Sequence, residues 1–312
     1  MSDIIALGEV LIDLTQTGTD EKGIPQFAAF PGGAPANVAV AAARLGADTG
    51  FIGKVGDDSF GQYLRQTLVG EGVDDGGLFV TEESPTTLAI VSVDSAGERS
   101  FAFYRQPGAD TRLTAQEAIT AIETANPSIL HFGSLSLTND PSREAALKAV
   151  SYAKAKGILI SYDPNYREAL WSSQEEAIRW MQEPFDLVDV LKVSDEELMM
   201  LTGTDNLEQG SKLLADHGIT LVIVTLGSDG VYYRYGEQCG SLPGIPVTVA
   251  DTNGAGDTFL GAVLAQIAHI TDETIASQLE KILTFANRAA AKTCSRPGAI
   301  PAMPTLEEMQ EE

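Results

Sequence analysis

The stretch that most limits what this chain can become lies near its end, between Ile245 and Ile267. An apolar, β-branched run, Ile245 to Val249, reads as a buried strand. A turn of small residues follows, with Gly254, Ala255 and Gly256 at its close. Phe259, Leu260, Val263, Leu264 and Ile267 then recur at helical spacing. The glycines therefore sit where a strand hands over to a helix N-terminus. Such a terminus presents unpaired N–H groups and a partial positive charge, which suits an anion and above all a phosphate. Small residues let the backbone approach that anion closely. Asp257 stands out in this setting. An acid in the first helical turn is favoured by the helix dipole and needs no other role. On a phosphate-cradling helix it would repel the ligand unless it had a chemical task. Taking a proton from an attacking hydroxyl is such a task.

Strand and helix patterns alternate from end to end, which predicts a mostly parallel α/β sandwich. Ile4 to Gly8 is a short apolar strand, and Glu9-Val-Leu-Ile-Asp13 follows it. An Asp ending such a strand is often only a turn former. Gly32-Gly33 precedes an alanine-rich helix, Val38 to Leu45, with Gly46 as its C′ residue. This second glycine turn fits either a plain cap region or a close approach of backbone to ligand. Asp57 and Asp58 lie in a turn and read as structural. Leu88 to Asp94 and Arg99 to Arg105 read as a β-hairpin around Ser95-Ala-Gly-Glu98. Thr114 and Glu117 form a capping box, as do Ser194 and Glu197. Ile129 to Gly133 is a strand, and Asp140-Pro141 opens a helix towards Gly157 with Pro at its first position. Ile158 to Asp163 runs into a polar turn ending at Arg167, and Asp229-Gly230 is a hairpin signal.

With 312 residues the chain can bury a sizeable core. The net charge of −24 opposes binding to nucleic acid or to an anionic membrane surface. An anionic nucleotide must then be met by local dipoles, a few basic residues and Mg²⁺. Most of the acids, including those from Glu307 to Glu312, read as solvated. Cys239 and Cys294 are far apart, so no disulfide framework or zinc site is readable, which fits a reducing cytoplasm. The first residues lack a basic leader region, and no apolar run approaches the ~20 residues of a membrane span. His131, His217 and His269 accompany no nucleophile pattern.

Asp251-Thr-x-Gly-Ala-Gly-Asp257 resembles the C-terminal signature of the ribokinase-like (PfkB) sugar kinases. Gly32-Gly33-x-x-x-Asn37, followed by Gly53-Lys-Val-Gly56-Asp57-Asp58-x-Phe60-Gly61, resembles their N-terminal signature. The resemblance implies a three-layer α/β/α sandwich with a small β-sheet lid. It implies one kinase domain over residues 1–312, with the lid formed by segments around 10–30 and 86–105. It makes the amides of Gly254, Ala255 and Gly256 an anion hole for the transferred phosphoryl group, and Asp257 the catalytic base. It assigns the sugar hydroxyls to Asp13, Gly32, Gly33 and Asn37. Phe101-x-Phe-Tyr-Arg105-x-Pro-x-Ala-Asp110 is similar to the fructokinase branch, and Asp163-Pro-Asn-x-Arg167 to the fructokinase and 2-keto-3-deoxygluconate kinase subgroups. Arg105 and Arg167 thereby become candidate sugar-side contacts. On the nucleotide side the resemblance points to Lys192, Ser194, Thr225, Gly227, Gly230 and Asn287, the last near the adenine. Ser194-x-x-Glu197 falls on a motif that orders water around Mg²⁺, with Ser in place of the family's Asn. Asp251 and Asn253, with backbone near Cys294 and Gly298, correspond to a monovalent-cation site for K⁺. The implied reaction moves the γ-phosphoryl of ATP to a primary hydroxyl of a small sugar. Fructose leads, with 2-keto-3-deoxygluconate and a riboside as alternatives, in a cytoplasmic homodimer joined through the lid. A non-catalytic sugar-binding regulator on the same fold is the alternative from another class, and the intact Asp257 argues against it.

Overall fold

The computed structural model describes residues 2–93, 99–268, 270 and 272–310. The turn expected at Ser95 to Glu98, and His269, lie outside them. From the N-terminus, β1 (Ile4–Leu7) leads into β2 (Leu11–Thr19) and β3 (Pro25–Gly32), then α1 (Ala34–Arg44), β4 (Thr49–Gly56), α2 (Ser59–Gly70) and β5 (Val73–Thr81). The pair β6 (Leu88–Val93) and β7 (Arg99–Tyr104) follows, then α3 (Ala115–Ala125), β8 (Ile129–Gly133), α4 (Ser142–Ala155), β9 (Leu159–Asp163) and α5 (Gln174–Gln182). The last part holds β10 (Val190–Ser194), α6 (Asp195–Thr202), α7 (Leu207–Ala215), β11 (Leu221–Thr225), β12 (Val231–Tyr235), β13 (Gln238–Leu242), α8 (Ala255–Ile267), α9 (Asp272–Cys294) and α10 (Leu306–Gln310).

Nine strands form one sheet in the order β13-β12-β11-β10-β9-β8-β1-β4-β5. It is parallel from β5 to β11, and β12 and β13 close it with antiparallel pairs. The inner strands are apolar on both faces because helices cover both. In β1, Ile5 and Leu7 pack with residues of α3 to α7, whereas Ile4 and Ala6 face the side of α1, α2, α8 and α9. The expected three layers are present. The chain lays β4 and β5 on one side of β1 and returns with β8 on the other. That reversal leaves a crevice at the carboxyl ends of β1 and β8, where open α/β sheets bind ligands.

A second sheet, in the order β3-β2-β6-β7, contains the strands expected of a lid. β6 and β7 pair as the predicted hairpin strands. The helix after Gly33 ends as expected, with Gly46 at φ 97°. Its packing on α8 depends on one small residue. A methyl group on Gly261 would fall 2.6 Å from Ala41 Cβ, so only glycine lets the two helices lie this close. One turn earlier along the same two helices stand Asn37 and Asp257.

Three expectations need correction. Ile245 to Val249 is an exposed loop, not a buried strand, and Val249 is 59% exposed. Pro243, Gly244 and Pro246 break any ladder there, since proline has no N–H to give. The segment hangs instead from Gly244 N–H to the Asp229 carbonyl (3.2 Å) and Ala250 N–H to the Cys294 carbonyl (2.8 Å). Pro141 occupies the N-cap of α4, one residue before the predicted position. The acidic tail is partly tied down, because Glu308 pairs with Arg296 at 2.7 Å. Among the described residues no helix is long and apolar enough to cross a membrane.

Candidate active site

Asp257 lies in the first turn of α8, 9% exposed, and its Oδ2 accepts a hydrogen bond from Asn37 Nδ2 at 2.8 Å. That bond joins the two glycine turns, which are separated by over two hundred residues of chain. Burial pushes the Asp257 carboxyl up to about 6, with Asp163 adding to the rise and Asn37, Lys192 and Arg167 opposing it. A carboxylate with a raised value is a better proton acceptor than an ordinary aspartate. The Asn37 Oδ1 is buried and has no partner among the described residues.

Asp13 follows the crevice on β2. Its carboxyl lies over Gly32, where an added Cβ would come within 2.3 Å of Oδ2. Burial lifts Asp13 to about 6; Arg167 pulls it down and Asp257 pushes it up. Asp13, Asp257 and Arg167 therefore share one electrostatic neighbourhood. Arg167 is exposed and donates from Nη1 to the Tyr166 carbonyl at 2.9 Å. Gly33 has φ 108°, and a Cβ there would fall 2.5 Å from the Glu9 carbonyl oxygen. Only glycine fits this turn.

The end expected to meet phosphate is built on α8. Gly254 is the N-cap in the left-handed region, φ 74°, and no side chain caps the helix. Ala255 N–H turns back to the Thr252 carbonyl at 3.3 Å, which leaves the amides of Gly254, Gly256 and Asp257 at this end of the helix. Lys192 Nζ stands 3.0 Å from where a Cβ on Gly256 would be. Burial lowers the Lys192 ammonium, but Asp163, Glu197 and Asp257 together raise it above the ordinary value. Its charge is secure.

The carboxylate that holds Lys192 is one that sequence reasoning passed over. Asp163 Oδ2 accepts from Lys192 Nζ at 2.8 Å, and both groups are buried. Parallel pairing sets Tyr162 beside Leu191, so the next residues, Asp163 and Lys192, fall side by side. Glu197 is buried next to them, raised by burial and by Asp163, with Lys192 and two amides opposing. Those amides belong to Ser194 (2.8 Å) and Tyr166 (2.7 Å). Ser194 is the N-cap of α6 and completes the predicted capping box. His131 is held neutral in the core, its value pushed down to about 4 by burial. Glu9, at the end of β1, is a second buried acid that the sequence gave no reason to single out.

Ser194, Thr225, Gly227 and Gly230, expected on the nucleotide side, lie at the same edge of the sheet. Ser194 and Thr225 are neighbours at the carboxyl ends of β10 and β11. Gly227 (φ 56°) has open space around it. Gly230 closes the β11–β12 turn, where a Cβ would meet the Leu242 carbonyl oxygen at 2.2 Å. Asn287 on α9 donates to the Pro243 carbonyl at 3.3 Å, so the exposed 243–250 loop spans from that turn to α9. Asp251 accepts from Asn253 N–H and from Gly298 N–H, each at 3.1 Å, which gathers the residues expected of a monovalent-cation site.

Arg105 differs from expectation. It is 5% exposed, and each guanidinium nitrogen already donates within the protein. Nε reaches Asp110 (2.7 Å), Nη1 the Thr138 hydroxyl (2.6 Å) and Nη2 the Leu135 carbonyl (2.9 Å). The side chain fastens the end of β7 to the body and is not free to reach a sugar.

A helix N-terminus with a lysine beside it, and a buried aspartate one residue further in, suit a phosphotransferase with a hydroxyl acceptor. The chain belongs to the PfkB family of carbohydrate kinases, whose signature it matches over residues 1–306. It is 43% identical over 310 residues to fructokinase-1 of Oryza sativa subsp. japonica, covering 97% of this chain and 94% of that one. It is 44% identical over 315 residues to the probable fructokinase-4 of Arabidopsis thaliana, covering 98% and 95%. Among solved structures, the ATP-bound fructokinase of Xylella fastidiosa superposes with a TM-score of 0.90 at 33% identity, over 99% of this chain and 97% of that one. A fructokinase double mutant of Vibrio cholerae O395, with fructose, ADP and potassium bound, gives 0.88 at 35% identity over 99% and 97%.

Proposed function

We propose that the chain phosphorylates fructose to fructose 6-phosphate with ATP, as one kinase domain over residues 1–312 that closes its second sheet over the sugar. The observation that carries this reading is the buried Asp257–Asn37 pair set at the uncapped N-terminus of α8. Asp13, the Gly32-Gly33 turn and Asn37 orient the sugar, and the orphaned Asn37 Oδ1 is an acceptor awaiting a hydroxyl. Asp257 takes the proton from the attacking hydroxyl. The amides of Gly256 and Asp257 and the Lys192 ammonium stabilise charge on the transferred phosphoryl group. Arg167 balances the charge of Asp13 and Asp257 at the mouth.

Asp163 Oδ1 is buried with no partner among the described residues, and Glu197 lies in the same neighbourhood. Hard oxygen donors of this kind suit Mg²⁺, which keeps several waters. Asp163 and Glu197 would hold such waters, and the ion would neutralise phosphate charge. Asp251 and Asn253 offer oxygens to K⁺. The lid also carries exposed apolar groups, Phe27 (45%) and Tyr104 (63%), which favour a homodimer through that sheet. The two free cysteines favour a reducing cytoplasm.

The test is ADP release with Mg-ATP and K⁺ across fructose, 2-keto-3-deoxygluconate, ribose, adenosine and fructose 6-phosphate. Turnover concentrated on fructose is expected. Preference for the keto-acid would reassign Arg167 to its carboxylate. Sugar binding without ADP production would revive the non-catalytic regulator.

A further inference from the structure

Four connections join the second sheet to the body, and three converge on one buried carboxyl. Glu9 sits on the first connection, between β1 and β2, and is 2% exposed. Its Oε1 accepts from the Ala34 N–H at 3.1 Å, at the first residue of α1, where the connection from β3 ends. The Gly33 turn rests on its main chain, 2.5 Å from the Glu9 carbonyl oxygen to where a Cβ would be. The Arg105–Asp110 pair, on the connection after β7, is within electrostatic reach. Thr87, just before β6 on the fourth connection, donates to Asp110 and accepts from Ile12 N–H at 3.1 Å.

We infer that Glu9 is a positioning residue for the sugar site: through its bond to the Ala34 amide it fixes the double-glycine turn against the lid hinge. The residues it fixes are those that face the sugar. Gly32 underlies Asp13, and Asn37, one turn into α1, reaches Asp257. Glu9 itself touches none of these carboxylates. It has no reacting partner in reach, and its second oxygen, Oε2, is buried and unpartnered among the described residues. The bond to Ala34 needs an accepting oxygen and not a charge. Burial pushes the Glu9 carboxyl up to about 7, against the pull of its own amide, of Arg105 and of the Ala34 amide. Both protonation states are then populated near neutral pH, and both keep that acceptor.

This inference rests on the reading that Asp13, Gly33 and Asn37 hold the sugar, so the wild type first identifies its preferred acceptor in the panel above. Glu9→Gln and Glu9→Asp are then compared on that acceptor. Gln keeps the reach and the acceptor but loses the charge; Asp keeps the charge but is one methylene short of Ala34. Glu9→Gln should hold the sugar KM within about threefold of wild type. Glu9→Asp should raise it about tenfold or more, the size expected for one buried hydrogen bond, with the ATP KM within about twofold. The sugar-induced rise in Tm should shrink in Glu9→Asp alone, and the ATP-induced rise should persist in both. The inference is overturned if Asp behaves as wild type while Gln fails, because the role would then be one of charge. It is equally overturned if both variants match wild type, or if both lose kcat with the sugar KM unmoved. A wild type inactive on every acceptor refutes the parent reading instead.

Discussion

Replacing Asp257 by Asn tests the site and the fold together, because the two effects run in opposite directions. The change is nearly isosteric, and an Asn carbonyl at this position still accepts from Asn37 Nδ2, so the contact between α1 and α8 is kept. Removing a general base costs about 10²–10⁴-fold in kcat. The stability effect follows from the raised carboxyl. Its rise from 3.8 to about 6 corresponds to a folding penalty of about 3 kcal/mol for the ionised group. The direction is fixed. A carboxyl whose folded value lies above its unfolded value carries no penalty below pH about 4, a growing one between, and the full penalty above about 6. At pH 7.5 Asn removes that term but must place an amide of its own, so a net gain of about 1–3 kcal/mol is expected. The assays are coupled ADP release and thermal unfolding on the same preparation. The reasoning fails if the variant keeps more than about a tenth of wild-type kcat, or if it unfolds at a lower temperature.

Three further outcomes follow from the same geometry. The pH profile of kcat/KM should fall on the acid side near pH 6, steeply, since Asp257 and Asp13 both rise to about 6 and both serve as carboxylates; an acid limb below pH 5 would contradict this. Gly33→Ala should lower stability by at least about 1–3 kcal/mol and raise the sugar KM, because φ is 108° and the clash is with backbone; unchanged melting would contradict it. Lys192→Met should raise the ATP KM by about 10–100-fold, leave the sugar KM nearly unmoved, and lower Tm through the unpaired Asp163.

Local chemistry was readable wherever a single segment determined its own structure. The capping boxes at Thr114 and Ser194, the glycine C′ at Gly46 and the turn at Asp229-Gly230 depend on residues within a few positions of one another, and all are present. Apolar periodicity placed α8 correctly for the same reason. The run from Ile245 to Val249 failed because strand formation needs a neighbouring edge, and composition cannot supply one. Pro243 precedes the run and Pro246 interrupts it, and the segment is tied at its ends by Gly244 N–H to Asp229 and Ala250 N–H to Cys294. Asp163 and Glu9 were missed because their importance lies in what stands beside them. Asp163 ends an apolar strand in the manner of many turn formers, and only the register against β10 brings Lys192 to it. Arg105 erred the other way: a motif suggested a ligand contact, and packing gave it Asp110, Thr138 and Leu135.

Ser194 brings the local and the long-range readings together. The resemblance implies an Asn at that position, and this chain has Ser. Asn and Ser are both strong N-caps, so exchanging them keeps the start of α6. Ser194 Oγ accepts from Glu197 N–H at 3.1 Å, and the Glu197 carboxylate accepts from Ser194 N–H at 2.8 Å. A third bond, from Tyr166 N–H, ties the same carboxylate to the segment after β9. Glu197 is thereby fixed between the strand that carries Asp163 and the strand that carries Lys192. Each carboxylate oxygen has two lone pairs and has spent one on an amide, so capacity remains for water. The N-cap therefore fixes the orientation of Glu197 beside Asp163 and Lys192. A hydroxyl serves that purpose as well as an amide, provided the residue can still cap.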